Sequence, residues 1–206
     1  MTVDRDAGME QAILQAAERL FLEKGFAMTS TTEIAKAVGC NQALIHYYFR
    51  TKDNLFETIF EKKLTIFMSN FLTIDETAAS FEESLRKNIE AHFDMIRANA
   101  QLPFLIMNEL TTNPARLMSL ADRLSDIPRS ILARIDARLK AEIAGGRIRP
   151  ISAFDLMFNI VALNAAFFLV DPILRQVAAL SDEQNELLID GRRRESVETI
   201  MRSLRP

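Results

Sequence analysis

The stretch STTEIAKAVGCNQALIHYYFRTK, running from Ser30 to Lys52, decides how the chain is read. Ser30 followed three residues later by Glu33 is a capping box, so a short helix is expected to begin here and run through Ile34, Ala35 and Val38. Gly39 stops it. Glycine accepts the left-handed conformation that a tight turn between crossed helices demands, where a side chain costs about 1 kcal/mol or more. Asn41 is placed to cap a second helix. On that helix Ile45 and Phe49 fall four apart on one face, while Gln42, Ala43, Leu44, His46, Tyr47 and Tyr48 turn outward. Ala35, four residues before the turn, is small enough to let the helices cross closely. The pattern is a helix-turn-helix.

A recognition helix presents its N-terminal residues and exposed face to a major groove, and this one carries amide, hydroxyl and aromatic groups there. Gln42 and Ala43 are expected at base edges, with Asn41 capping beside them. His46, Tyr47 and Tyr48 are expected along the groove wall and backbone. Ser30, Thr31 and Thr32 offer N–H and hydroxyl groups to phosphate or a base edge. Lys52 opens the next helix, where its ammonium and the backbone N–H groups are expected to share one phosphate.

These residues resemble the TetR/AcrR class of bacterial transcriptional repressors. The matching positions are Ser30, Ile34, Ala35, Gly39, Tyr47, Tyr48, Phe49, Lys52 and Leu55, and the upstream AAERLFLEKGF, Ala16 to Phe26, matches that family's first helix. The resemblance is one of motif over about residues 9 to 60 and of architecture beyond. Two positions depart from the family pattern. His46 stands where a tyrosine is usual, so a phosphate contact there becomes pH-sensitive. Leu44 stands where threonine or serine is common, and is suited to a thymine methyl.

A chain of 206 residues, 49% apolar and 26% charged, has the material for a sizeable core in one or two domains. Its single cysteine, Cys40, cannot form an internal disulfide, which agrees with a reducing cytoplasm. No N-terminal signal pattern is present, and no apolar run reaches the roughly 18 to 20 residues that span a bilayer. The longest candidate, 153 to 170, contains Asp155, Asn159 and Asn164, so it reads as a buried interface helix and no membrane partner is expected. A net charge of −3 argues at first against a nucleic-acid partner. Yet from Asn41 to Lys52 there are Arg50 and Lys52 and no acid, so the expected DNA face is locally basic.

Taken in order, residues 1 to 8 lack periodicity, and a first helix is expected from Met9, with Ile13, Ala17, Leu20 and Phe21 inward, ending at Gly25. Phe26 and Met28 are expected to complete the small core. A longer helix from Thr51 or Lys52 carries Leu55, Phe56, Ile59, Phe60, Leu64, Phe67, Met68 and Phe71; the resemblance makes it the link between head and body. Residues 73 to 80 read as a loop, and Ser80 with Glu83 as a second capping box for a helix to about Asn99. Pro103, Pro114 and Pro128 mark further starts or kinks, and Gly145-Gly146 closes that stretch. Ser152 caps a helix from Phe154 to Leu169, ending before Asp171-Pro172. The last helix is expected to begin between Ser181 and Gly191 and to carry Val197, Ile200, Met201 and Leu204. With no strand-like alternation, the chain reads as all-α, a three-helix head over 1–53 and a larger helical body over 54–206. The two late helices have apolar faces and few remaining partners within one subunit, so they are expected to form a homodimer.

One cysteine and two histidines, His46 and His92, are too little for a metal cluster or a Cys/His nucleophile, and no glycine-rich phosphate loop occurs. No catalytic site, metal or cofactor is expected. The body instead mixes adaptable apolar residues with sparse polarity. Phe67, Phe71, His92, Met95, Ile96, Phe104, Met107, Asn108, Leu110, Phe158, Asn164 and Phe168 are candidates to line a pocket for a small apolar ligand; in the family a pocket of this kind takes an inducer. The expected function is a ligand-responsive repressor that binds a palindromic operator as a homodimer. The alternative is a helical carrier or protein-interaction module that keeps the head fold without using it on DNA.

Overall fold

The computed structural model describes residues 3–69, 80–123 and 126–206. The elements are α1 (Val3–Met28), α2 (Thr31–Val38), α3 (Gln42–Phe49), α4 (Lys52–Ser69), α5 (Phe81–Ala98), α6 (Leu102–Thr112), α7 (Pro114–Arg123), α8 (Asp126–Ala144), α9 (Ala153–Val177) and α10 (Asp182–Ser203). Among the described residues there is no strand, and the fold is all-α. Proximity divides the chain into two units, Met1–Thr65 with Phe104–Leu117, and Ile66–Pro103 with Met118–Pro206.

The first unit is built on apolar residues at helical spacing. Ile13, Ala17, Leu20 and Phe21 of α1, Ile34 and Ala35 of α2, Ile45 and Phe49 of α3, and Leu55, Phe56, Ile59 and Phe60 of α4 are all buried. Phe56 lies edge-on to Phe21 and Phe26, both at 5.0 Å between ring centroids. Gly25 breaks α1 with φ 77° and ψ 169°, a conformation that excludes side chains. A Cβ there would also sit 3.2 Å from the Asn108 amide. Phe26 joins the core as expected, but Met28 is 75% exposed, because the break at Gly25 turns the chain outward after Phe26. The helix itself starts earlier than periodicity indicates, at Val3.

Beyond the four helical segments of the head, this unit contains most of α6 and the start of α7. Leu105 is fully buried there, and Arg116 of α7 adds polar and aromatic contacts. Its guanidinium lies 3.9 Å from the Phe26 ring centroid and 5.0 Å from that of Phe56. It also donates to Glu109 (3.0 Å) and Asp53 (2.6 Å). Arg116 and Glu109 have side chains only 7% and 2% exposed, so this is a buried pair whose charges are matched in place. Burial raises the Glu109 carboxyl above its usual range, and Arg116 pulls it part of the way back.

In the second unit α5, α8, α9 and α10 pack together. One core cluster joins Leu85 and Ile89 to Leu139, Leu156, Ile160, Val197 and Ile200; another joins Phe93 and Ile96 to Phe167, Phe168 and Ile189. Helix starts follow the sequence closely. Ser80 accepts from Glu83 N–H (3.1 Å) and Ser152 from Asp155 N–H (2.9 Å), and Ser181 with Gln184 completes a reciprocal capping box. The α5–α10 register carries ion pairs from Arg86 to Glu198, Arg97 to Asp190 and Arg193 to Asp94. Each is largely exposed and contributes about 1 kcal/mol or less.

The expected stop before Asp171-Pro172 does not occur. Pro172 lacks the N–H that would bond a carbonyl one turn back, yet α9 continues to Val177, past a missing bond that a helix can absorb by bending. By length and composition α9 is apolar enough to cross a membrane. Leu156, Ile160, Asn164 and Phe168 nevertheless form one buried stripe in this unit, and Phe154, Phe158, Ile173, Leu174 and Val177 are exposed.

Candidate nucleic-acid interface

The helix-turn-helix is held by backbone caps at every junction. Ser30 Oγ accepts from Glu33 N–H at 3.1 Å and Asn41 Oδ1 from Leu44 N–H at 2.9 Å. The Glu33 carboxylate is bonded by Lys24, which holds it below the usual carboxylate range. Gly39 adopts φ 77°, ψ 29°, and the Cys40 N–H closes the turn on the Ala35 carbonyl at 3.0 Å. Ile45 and Phe49 face inward, so Gln42, Ala43, His46 and Tyr47 are exposed, with Leu44 and Tyr48 half-buried. The Tyr47 and Tyr48 rings meet edge-on, 5.1 Å apart.

Three of the expected contact residues touch one another. Gln42 Nε2 donates to Thr31 Oγ1 at 2.7 Å, and Thr32 Oγ1 donates to Gln42 Oε1 at 3.4 Å. The amide at the tip of α3 is therefore oriented by the first turn of α2. A cleft of about 260 Å³ lies beside it, lined by Thr31, Gln42, Ile45, His46, Arg50, Thr51 and Lys52.

Lys52, expected at a phosphate, bonds the backbone of its own unit in the free chain. Its Nζ donates to the carbonyls of Phe26 (3.0 Å) and Thr29 (2.9 Å) and lies 4.0 Å from the Phe26 ring centroid. These carbonyls lie at the broken end of α1 and just beyond it, where helical partners run out. Thr29, buried and also overlooked in the sequence, donates its hydroxyl to the Leu20 and Gly25 carbonyls (3.2 and 2.9 Å). The ammonium thus ties α1 to α4 within the head.

Arg50 is the residue that sequence reasoning left out of the contact set. It ends α3 at φ 66°, ψ −54°, and the Thr51 N–H reaches back over it to the Phe49 carbonyl at 2.7 Å. This is a γ-turn with positive φ, strained for a residue with a Cβ. Its side chain is exposed and lines the cleft. The only signal in the sequence was the excess of Arg50 and Lys52 over acids; nothing in it distinguishes which cation faces out.

The described candidates for a pocket are found in both units. Phe71 and the side chain of Phe67 lie outside the described residues. His92, Met95, Ile96, Asn164 and Phe168 are buried in the second unit. Asn164 Nδ2 donates to the Ile89 carbonyl (3.1 Å) and lies 3.0 Å from His92 Nδ1. Burial lowers the His92 pKa to about 4, so the ring is neutral at pH 7, and Nδ1 is the acceptor for the amide. Phe158 is exposed on α9. Phe104, Met107, Asn108 and Leu110 belong to the first unit, where Asn108 abuts Gly25 and the other three side chains are exposed.

Residues 13–59 match the family model described as bacterial regulatory proteins, tetR family. The "Fatty acid metabolism regulator protein" of Bacillus subtilis (strain 168) is 23% identical over 183 residues, covering 87% of this chain and 93% of that protein. The "HTH-type transcriptional repressor BepR" of Brucella suis biovar 1 is 27% identical over 149 residues, covering 69% of each. Among solved structures, the TetR-family transcriptional regulator PfmR of Thermus thermophilus superposes with a TM-score of 0.64 at 21% identity. The match covers 94% of this chain and 99% of PfmR.

Proposed function

We infer the function of this chain from its membership of the tetR family of bacterial regulatory proteins: it is a DNA-binding transcriptional regulator, not an enzyme. We propose that it acts as a cytoplasmic homodimer, each subunit placing α3 in a major groove of a palindromic operator, and that it represses until a small ligand binds the body. The observation that carries the DNA reading is the outward face of α3. Gln42, His46 and Tyr47 are presented by buried Ile45 and Phe49, with the Thr31–Thr32 hydroxyls at one end and the Arg50 guanidinium at the other. In this reading Gln42 and Ala43 meet base edges. Thr31, Thr32, Arg50 and Thr51 hold phosphates, and Lys52 acts by fixing the head that presents them.

The unburied apolar residues of α9, Phe154, Phe158, Ile173, Leu174 and Val177, with Leu187 of α10, support a two-fold interface through those helices. Two subunits give the half-site spacing of about one turn that a palindrome requires. For a ligand to lower operator occupancy a hundredfold, it must favour the DNA-incompetent state by about 2.7 kcal/mol.

The test is fluorescence anisotropy of the purified protein with the DNA upstream of its own coding region, across a salt series. Sequence-selective, salt-sensitive binding at two chains per site is expected. Binding no tighter than to random DNA, there and in a genome-wide selection, would replace this reading with that of a carrier.

A further inference from the structure

The outward face of α3 carries His46, which the operator reading assigns to neither a base nor a phosphate. Its ring is exposed and lines the cleft of about 260 Å³ beside α3, a space that admits a phosphate group. The charges around the ring are of one sign. Arg50 and Lys52 line the same cleft, and no acid is among its lining residues. The Lys52 ammonium is turned to the Phe26 and Thr29 carbonyls. Glu33, the one acid of α2, is bonded by Lys24, and Asp53, in the first turn of α4, by Arg116. On α3 itself the neighbouring rings of Tyr47 and Tyr48 meet each other edge-on. A proton on the imidazole of the free chain therefore meets cations and gains no anion. A phosphate seated in the cleft reverses that balance, because an opposite charge beside the ring favours its protonated form.

We propose that His46 takes up a proton from solvent as the head binds DNA, which makes pH an input to this regulator beside any ligand of the body. The protonated ring donates to a phosphate oxygen in the cleft, with the Arg50 guanidinium as the second cation. When the DNA leaves, the proton returns to solvent. Histidine is the side chain suited to this, since an imidazole changes charge between pH 5 and 8 while arginine and lysine keep theirs. Affinity should then be about tenfold lower per subunit at pH 8 than at pH 6, and about a hundredfold lower for two subunits. A phosphate contact carries no base preference, so the ratio of operator to random binding should stay level while both affinities change.

Proton uptake rests on the DNA-binding reading above, and one assay separates the two. Anisotropy of the full-length chain is measured on the upstream duplex and on a random duplex of equal length, at fixed ionic strength from pH 6 to 8. Both affinities should fall with rising pH, and the salt slope should be steeper at pH 6 than at pH 8 by about 0.9 per subunit. Calorimetry at pH 7 in two buffers of different ionisation enthalpy should register net proton uptake on binding. His92, the other histidine of the chain, is buried with a pKa of about 4 and titrates below this range. His46→Gln, at an exposed side chain, should abolish the pH dependence, the change in salt slope and the uptake together. His46→Lys, which fixes the charge, should bind without pH dependence and about tenfold more tightly per subunit than His46→Gln. Failure of the parent to bind either duplex at any pH removes the DNA reading and proton uptake with it. Parent binding that is level across the range, or that keeps its pH dependence in His46→Gln, overturns proton uptake alone.

Discussion

Replacing Arg116 with alanine should loosen the DNA-binding unit far from any base it reads. In the parent, Arg116 and Glu109 are 7% and 2% exposed, and the guanidinium lies over Phe26 and Phe56. Removing one partner of a buried pair costs about 3–5 kcal/mol, because the other charge is left unmatched. The bond to the half-exposed Asp53 adds under about 1 kcal/mol. Glu109, already raised by burial, has a way out: without Arg116 it can take a proton. A carboxyl whose folded pKa lies above its unfolded one adds nothing unfavourable below the unfolded value, destabilises increasingly as the pH rises from the unfolded to the folded value, and costs a constant amount above it. The loss should therefore be about 4 kcal/mol at pH 8. It should shrink to about 2 kcal/mol at pH 5, the part owed to the lost aromatic contacts. Urea unfolding at both pH values measures it, since urea leaves ion pairs unscreened, and amide exchange on α1 to α3 localises it. Adding Glu109→Gln to Arg116→Met should recover most of the stability. A loss below about 1 kcal/mol at both pH values, or one that grows towards acid, refutes the reasoning.

His92 is held neutral in the fold with a pKa of about 4 against an ordinary 6.5, so its contribution is intact above pH 6.5 and is lost as the pH falls towards 4. The gap is worth about 3 kcal/mol, and stability measured on the parent and on His92→Gln between pH 7 and 4 should converge by that amount. Lys52→Met removes two charge-assisted bonds to carbonyls, so the head should lose about 2 kcal/mol in urea unfolding while the salt dependence of DNA binding keeps its slope. Arg50→Gln should do the reverse, lowering the salt slope by about one per subunit at unchanged stability. Phe158→Asp, at a side chain 61% exposed, should leave the chain folded and shift it from dimer to monomer in sedimentation.

Where the sequence was informative, the information was local. Ser30, Asn41, Ser80, Ser152 and Ser181 cap the helices because each bond spans three residues, a distance that a reader of the chain can see. The inward faces of α1 to α5 were legible for the same reason, through periodicity. What escaped was set by contacts between distant residues. Lys52 bonds carbonyls 23 and 26 positions away, and Arg116 reaches Asp53 across 63, and no spacing rule announces either. Segment 104–117, which follows α5 in the chain, packs in the unit of the helix-turn-helix with Leu105 and the Arg116–Glu109 pair buried. Phenylalanine and methionine at helical spacing serve packing and ligand alike, so spacing could not tell buried Met95, Ile96 and Phe168 from exposed Phe104, Met107 and Phe158.

The bonds from Gln42 to Thr31 and Thr32 have a bearing on how strictly an operator is read. An amide that is solvated when free must be paired by the right base, and a wrong base leaves it stranded; that penalty underlies discrimination of about 1–3 kcal/mol per contact. Here a wrong base lets the amide return to its threonines, so the error costs less than a stranded group would. At the base that Gln42 meets, operators of this regulator should be degenerate, and Thr31→Val, which removes the fallback, should narrow the set of tolerated sites.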